Sequence, residues 1–230
     1  MVEYNYSLMG KIGSKNRWER VHSKVIIKDK ISKEKISINS YLCGDGYIKI
    51  REKGFHYEIC FFLDNLFLAK RIVSLFNKEY NVNPKIREIK SKTKFGIGYY
   101  RVEIKNKPVC LNLLSLGKYD GLNWIIPNSL DKNLLREWIK CFFDCEAYVN
   151  LFNQQIQVKS VNESGLREIK KGLLLYGINS KVYGPYKNGE GHNPYFMLTI
   201  YNLKDLLLYK SKIGFYHPDK VVDLGSFKSL

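Results

Sequence analysis

Two short stretches of the chain carry the same order of residue types. In "INSYLCGDG", Ile38–Gly46, the small residues Ser40 and Gly44 are four apart and Asp45 follows. In "IKCFFDCEA", Ile139–Ala147, Cys141 and Cys145 are four apart and Glu146 follows. Residues four apart share a helix face, and small ones there let a second helix approach and cross. In both stretches the carboxylate stands where helical residue types give way to strand types. A single such acid between glycines is a turn residue. Two at matching positions, if brought side by side, would repel unless a cation neutralised them. Magnesium takes carboxylate and phosphate oxygens. An ion so held activates water and stabilises the leaving oxygen in phosphodiester hydrolysis.

The elements around the two stretches repeat as well. A helix ends near Gly44. "YIKIREK" and "HYEICFF" read as strands around a turn at Gly54, and a helix with apolar Leu68, Ile72, Leu75 and Phe76 runs from Asn65 to Tyr80. "KIREIK" and "GYYRVEIK" read as a second hairpin, and a helix from Pro108 to Leu116 ends before Gly117. The second half has the same order. It has a helix from Asp131 to Glu146, strands "YVNLF" and "QIQVKS", a helix capped by Asn162 and stopped at Gly177, strands "KVYGPY" and "PYFMLTIYN", and a helix from Leu203 to Lys210. Matching features lie about one hundred residues apart, as Asp45 and Glu146 do. The expected fold is α+β, a tandem duplication of an α-β-β-α-β-β-α unit. Its boundaries are a basic extension over 1–30, a first repeat over 31–118, a linker over 119–130 and a second repeat over 131–230.

Composition narrows the partner. The 230 residues include 38 Lys and Arg against 22 Asp and Glu, a formal charge of +16, with 45% hydrophobic residues. A packed protein with a polyanionic partner, foremost nucleic acid, is expected. No apolar run is long enough to span a bilayer, and residues 1–30 show no apolar core of a signal peptide. Five cysteines at irregular spacing, without a CxxC pair, read as free thiols of a cytoplasmic protein rather than as a zinc site.

The two nonapeptides, their repeat context and the basicity together resemble the LAGLIDADG homing endonucleases of the single-chain, two-motif archaeal type. The resemblance covers roughly residues 31–225, and "IGFYHPDK", Ile213–Lys220, is similar to a segment near the end of that family's repeats. It implies that the two motif helices pack side by side at a pseudo-twofold axis, Ser40 and Gly44 facing Cys141 and Cys145. Asp45 and Glu146 would then meet at one end and bind Mg²⁺ (Mn²⁺ as a substitute), with Gly44 and Cys145 adjoining the metal. It also implies a basic residue near each scissile phosphate. Lys118, 73 residues after Asp45, and Lys220, 74 after Glu146, fit that place and would stabilise charge developing on the phosphorus oxygens. Ser40 and Cys141 are larger than the family's usual small residues, and Ala147 replaces a closing glycine, whose counterpart Gly46 is expected to allow a sharp exit into the strand.

Four strands per half imply two curved antiparallel sheets forming a saddle over double-stranded DNA, whose major groove admits a β-ribbon. Alternation places Lys49, Arg51 and Lys53 on one face, Arg101 and Lys105 on another, and Lys85 and Arg87 beside Ile86. In the second half the matching positions are Asn150, Gln155, Gln157, Lys159, Lys181 and Tyr183. The unequal side chains of the two halves predict an asymmetric target. Loops near Lys90–Lys94 and Lys187–His192, and an arm holding Arg17, Arg20 and His22, are candidates for phosphate contacts. The expected function is a monomeric, site-specific double-strand DNA endonuclease. The alternatives are an RNA maturase acting on intron RNA and a non-catalytic DNA-binding regulator on the same scaffold. An intein is not expected, since Met1 opens the chain and "SFKSL" closes it without a terminal His-Asn.

Overall fold

A computed structural model describes residues 25–51, 56–91, 98–187, 189 and 191–227. Helix α1 spans Lys33–Asp45, β1 Gly46–Arg51, β2 His56–Leu63, α2 Leu66–Tyr80, β3 Lys85–Ile89, β4 Tyr99–Ile104 and α3 Lys107–Leu114. The second set is α4 Lys132–Glu146, β5 Ala147–Asn150, β6 Gln155–Ser160, α5 Glu163–Leu174, β7 Lys181–Tyr186, β8 Tyr195–Ile200 and α6 Leu203–Lys212. A further helix, α7, covers Pro218–Gly225. The strands form two four-stranded antiparallel sheets of matching order, β1-β2-β4-β3 and β5-β6-β8-β7. The α+β duplication expected from the sequence is thus present.

Caps fix where the helices start. Ser32, Asn65, Asn106, Asp131, Asn162 and Asn202 each accept a main-chain N–H of the first turn, satisfying a donor that the helix itself cannot. Asn81, in the left-handed region at φ 54°, ends α2. Two details differ from the sequence expectation. The apolar pair Leu151 and Phe152 lies beyond β5 in a turn, because the Asn150 side chain accepts the N–H of Asn153 and Gln154 takes a positive φ of 47°. Helix α7 was not anticipated, since Val221 and Val222 are exposed and only Leu224 is buried.

Each half has its own apolar core, and the motif helices trade residues between them. Ile36 and Cys43 of α1 are buried with Trp138, Phe142, Val158 and Leu198 of the second half. Cys141 of α4 is buried with Tyr41, Phe61, Phe76 and Val102 of the first. Residues 35–43 of α1 are all buried, so this helix has no solvent stripe and sits between the two sheets' layers. Burying Lys35 is offset by its carbonyl bond to Lys28 at 2.5 Å and its ion pair with Glu79 at 3.5 Å. The linker closes over the second core. The Trp124 ring lies 4.6 Å from that of Phe142, tilted by 45°, and a Cβ on Gly165 would lie 2.3 Å from the Trp124 ring.

Candidate active site

The seam between α1 and α4 is built for close approach. A Cβ on Gly44 would fall 2.5 Å from Cys145 Cβ and 3.0 Å from its sulfur, so a side chain there would drive the helices apart. Polar bonds tie the seam along its length. Ser40 donates to the Trp138 carbonyl at 2.5 Å, Trp138 Nε1 to Asn39 at 2.7 Å, Ser37 to Glu137 at 2.8 Å and Tyr41 to Asp144 at 2.9 Å. Buried polar groups so paired fix one register. Gly46 needs its missing side chain for a different reason from the one expected. Its φ of −125° is ordinary extended backbone, but a Cβ would lie 2.9 Å from Leu42 Cα. The demand is for space, not conformational freedom, and Ala147 meets no such wall.

Because α1 and α4 run together and end together, their last residues, Asp45 and Glu146, share one end of the seam. Both are half-buried. Burial pushes the Glu146 carboxyl up to about 7; the Asp45 charge adds to this and Lys220 opposes it. Asp45 is also raised by burial, against the Cys145 thiol that donates to it, with Asp64 raising it further and Lys220 and His217 lowering it. A cleft of about 350 Å³ opens beside Glu146, lined among others by Gly44, Trp124, Lys159 and Tyr195. Among the described residues no group of three or more His, Cys, Asp or Glu is placed to hold a metal. The site therefore offers two hard carboxylates and leaves the other ligand positions to phosphate and water. Magnesium favours such a set over an all-protein cage, so the residues present fit a hard divalent cation.

The other predicted site residues fall in two places. Lys220 is at the seam, where its ammonium donates to the carbonyls of Phe143, Asp144 and Cys145 at 3.2, 2.6 and 3.2 Å. It caps the negative end of α4, and the Cys145 carbonyl is one of the groups it holds. Lys118 is exposed after α3 and lines a different cavity with Leu122, Asn123 and Asn162. It makes no ion pair or hydrogen bond with the described residues. Sequence reasoning missed Asp144, Glu137, Arg71, Asp64 and His217. Asp144 accepts the main-chain N–H groups of Tyr216 and His217 at 2.7 and 2.9 Å. Glu137 is pushed up by burial, but Ser37, Lys33, Tyr216 and Arg71 hold it below the usual carboxylate range. Most of their partners lie 66 to 153 positions away in the sequence, so only the "IGFYHPDK" segment hinted at them.

Register fixes which strand residues oppose one another, while burial does not alternate along β1, where Ile50 is exposed beside Lys49 and Arg51. Lys49 opposes Glu58 and Arg51 opposes His56, while Lys85 opposes Glu103 and Arg87 opposes Arg101. Val102, Ile104, Ile59 and Phe61 face the core. Lys49, Arg51, Lys85, Arg87 and Lys105 are exposed. Arg101 is not free, since it pairs with Glu58 at 2.9 Å and Glu103 at 3.3 Å, and Glu103 also holds Lys105 at 2.8 Å. On the second sheet Gln155, Gln157, Tyr183, Met197 and Thr199 line one shallow depression, with Lys159 and Lys181 beside the Tyr195 and Tyr201 rings. Asn150 holds the hairpin turn. Lys53, Lys92, Arg17, Arg20 and His22 lie outside the described residues.

A duplicated α+β chain with a pair of acids at the seam between its repeats and polar faces on two sheets defines a class. Residues 133–214 match the family model described as a LAGLIDADG-like domain. The match places a LAGLIDADG-like domain in the second repeat. It is similar to a probable translation initiation factor of Methanocaldococcus jannaschii, 28% identical over 84% of this chain, and to a glutamine–fructose-6-phosphate aminotransferase of the same organism, 27% over 83%. The chain spans only 18% and 17% of the length of these curated relatives. The fold is shared with the homing endonuclease I-DmoI in complex with DNA and Ca, with a TM-score of 0.62 and 16% identity over 85% of this chain and 98% of that one. It is shared too with I-WcaI bound to its DNA recognition sequence, with a TM-score of 0.59 and 14% identity over 99% and 96%. Among the described residues no helix is long and apolar enough to cross a membrane.

Proposed function

We propose that this chain is a site-specific double-strand DNA homing endonuclease that hydrolyses phosphodiester bonds at a long asymmetric target. The observation that carries the reading is the meeting of Asp45 and Glu146, one from each repeat, with Glu146 held up near 7 in part by its partner's charge. Asp45 and Glu146 would hold divalent ions, Mg²⁺ foremost, which supply a water nucleophile and neutralise the leaving oxygen. The chain's own residues set the stage. The Gly44–Cys145 contact keeps the two acids together, the Cys145 thiol orients Asp45, and Lys220 holds the end of α4. The exposed Lys and Arg of the first sheet and the Gln and Tyr groups of the second would read an asymmetric duplex along its major groove.

Complexes of I-DmoI with DNA and Ca, and with DNA and Mn, support divalent-metal use on this fold. The two curated relatives carry unrelated names, and this chain matches less than a fifth of each. A segment common to two such proteins is a module in its own right, as expected of an endonuclease carried inside a host. Two motif helices in one chain already form the seam, so a monomer is expected to be the active unit, in the cytoplasm. Incubation of the purified protein with DNA from its own locus and Mg²⁺ tests the reading. Defined double-strand breaks are expected. Tight binding without breaks, with or without Mn²⁺, would move the chain to the regulators or, if intron RNA is bound in preference, to the maturases.

A further inference from the structure

We propose that Asp64 and His217 are a cross-repeat positioning pair that seats the Lys220 segment on α4, and that its presence on one side only makes the two strands cut at unequal rates. The proposal rests on the nuclease reading above.

The geometry is specific. His217 is buried, and its Nε2 lies 3.3 Å from Asp64 Oδ1, while its main-chain N–H is held by Asp144. Asp64 follows β2 in the first repeat, and His217 precedes α7 in the second. The pair therefore spans the seam at the end where Asp45 lies, and both groups act on the Asp45 carboxyl. Three residues beyond His217, Lys220 spends its hydrogen bonds on the last carbonyls of α4. Nδ1 of His217 has no hydrogen-bond partner among the described residues and faces Asp219 at 3.9 Å. A buried ring atom left so is a cost that the Asp64 contact must offset if the ring is to stay in place.

The opposite side cannot build this pair. Val161 precedes the cap Asn162 as Asp64 precedes the cap Asn65, and it has no polar atom in its side chain. Cys43 stands two residues before Asp45, as Asp144 stands two before Glu146, and burial keeps its thiol protonated. After α3 the chain is fastened elsewhere. Tyr119 accepts from Asn39 at 2.9 Å and donates to the Leu113 carbonyl at 2.5 Å, while Lys118 points into another cavity. Among the described residues, Lys220 is thus the lysine fastened to the end of a motif helix and Lys118 has no counterpart anchorage, and an ordered cation beside one scissile phosphate stabilises charge there selectively.

The test uses full-length protein, duplex labelled on either strand, and hydrogen exchange of residues 213–220. Wild type should cut one strand faster. His217→Ala and Asp64→Ala should slow that strand by about tenfold, short of the 10²–10³-fold loss typical when a transition-state donor itself is removed, and leave the slow strand within twofold. The amides of Tyr216 and His217 should exchange faster in both variants. His217→Gln, which keeps a donor near the Nε2 position, should restore rate and protection. Equal slowing of both strands, or unchanged exchange in His217→Ala, would overturn the pair's role. If wild type cuts nothing the nuclease reading fails, and unchanged exchange would still reject the seating independently.

Discussion

Gly44→Ala puts a methyl group where there is no room for one. Its Cβ would lie 2.5 Å from Cys145 Cβ, about 1 Å short of ordinary contact, and the obstacle is a carbon fixed to the backbone of α4. The clash cannot be relieved by a rotamer change. Either α1 and α4 separate or their ends twist, and both move Asp45 relative to Glu146. Overpacking of this kind costs about 1–3 kcal/mol, and the absence of flexible relief puts this case near the upper end. For a chain of this length that lowers Tm by roughly 6–12 °C. Scanning calorimetry of the metal-free protein measures it. Cleavage should fall further than stability alone dictates, since an ångström of misplacement costs about 100-fold in rate. Cys145→Gly removes the obstructing atom, so the double variant should be more stable than the two single changes sum to, with a coupling of about 1–2 kcal/mol. A Gly44→Ala protein with wild-type Tm and wild-type cleavage, or a double variant that is simply additive, would refute the close crossing and the placement of the two acids that follows from it.

Glu146 makes the metal-free protein sensitive to pH. Its folded pKa of about 7 lies above the unfolded 4.5, so the native state keeps a proton that the unfolded chain loses. Stability should then fall as pH rises from about 4.5 to 7, by up to about 3 kcal/mol. Ca²⁺, which stabilises the ionised pair, should cancel most of that fall in thermal melts, and a flat metal-free profile would contradict it. Arg51 is exposed with no acidic partner among the described residues. Arg51→Ala should cost about 1–3 kcal/mol against one cognate base pair and relax preference there in a titration over single-base variants. Arg101→Ala should behave differently, weakening all sequences alike by taking the guanidinium away from Glu58 and Glu103 on the same face. Glu58→Gln in that background should recover part of the loss.

Features set by local sequence were legible. Small residues four apart in Ile38–Gly46 and Ile139–Ala147 announced a helix seam, and alternation in Tyr99–Lys105 separated buried Val102 and Ile104 from Arg101, Glu103 and Lys105. Asn and Asp before each apolar run marked the helix starts. Patterns that depend on distant partners were not legible. Glu137 reads as a solvated helix position until Ser37, Arg71 and Tyr216 converge on it from three other segments. Asp144 reads as a neighbour of the motif acid, yet it anchors the backbone of Tyr216 and His217. Lys118 and Lys220 have matching sequence offsets but different destinations, because Tyr119 turns the first segment aside. Arg101 has the right face for a groove, but Glu58 and Glu103 on neighbouring strands hold it in the free protein.

The central claim is that one carboxylate from each repeat makes a single cleavage centre. It is tested most directly by measuring cleavage and binding of the locus DNA in Mg²⁺ for Asp45→Asn and Glu146→Gln, each of which keeps side-chain size and removes the charge. Both should lose double-strand cleavage by about 10²-fold or more, comparable to deleting a main transition-state stabiliser, while binding the duplex with affinity near that of wild type. Undiminished cutting of both strands by either variant would contradict the claim and move the chemistry away from the end of the seam.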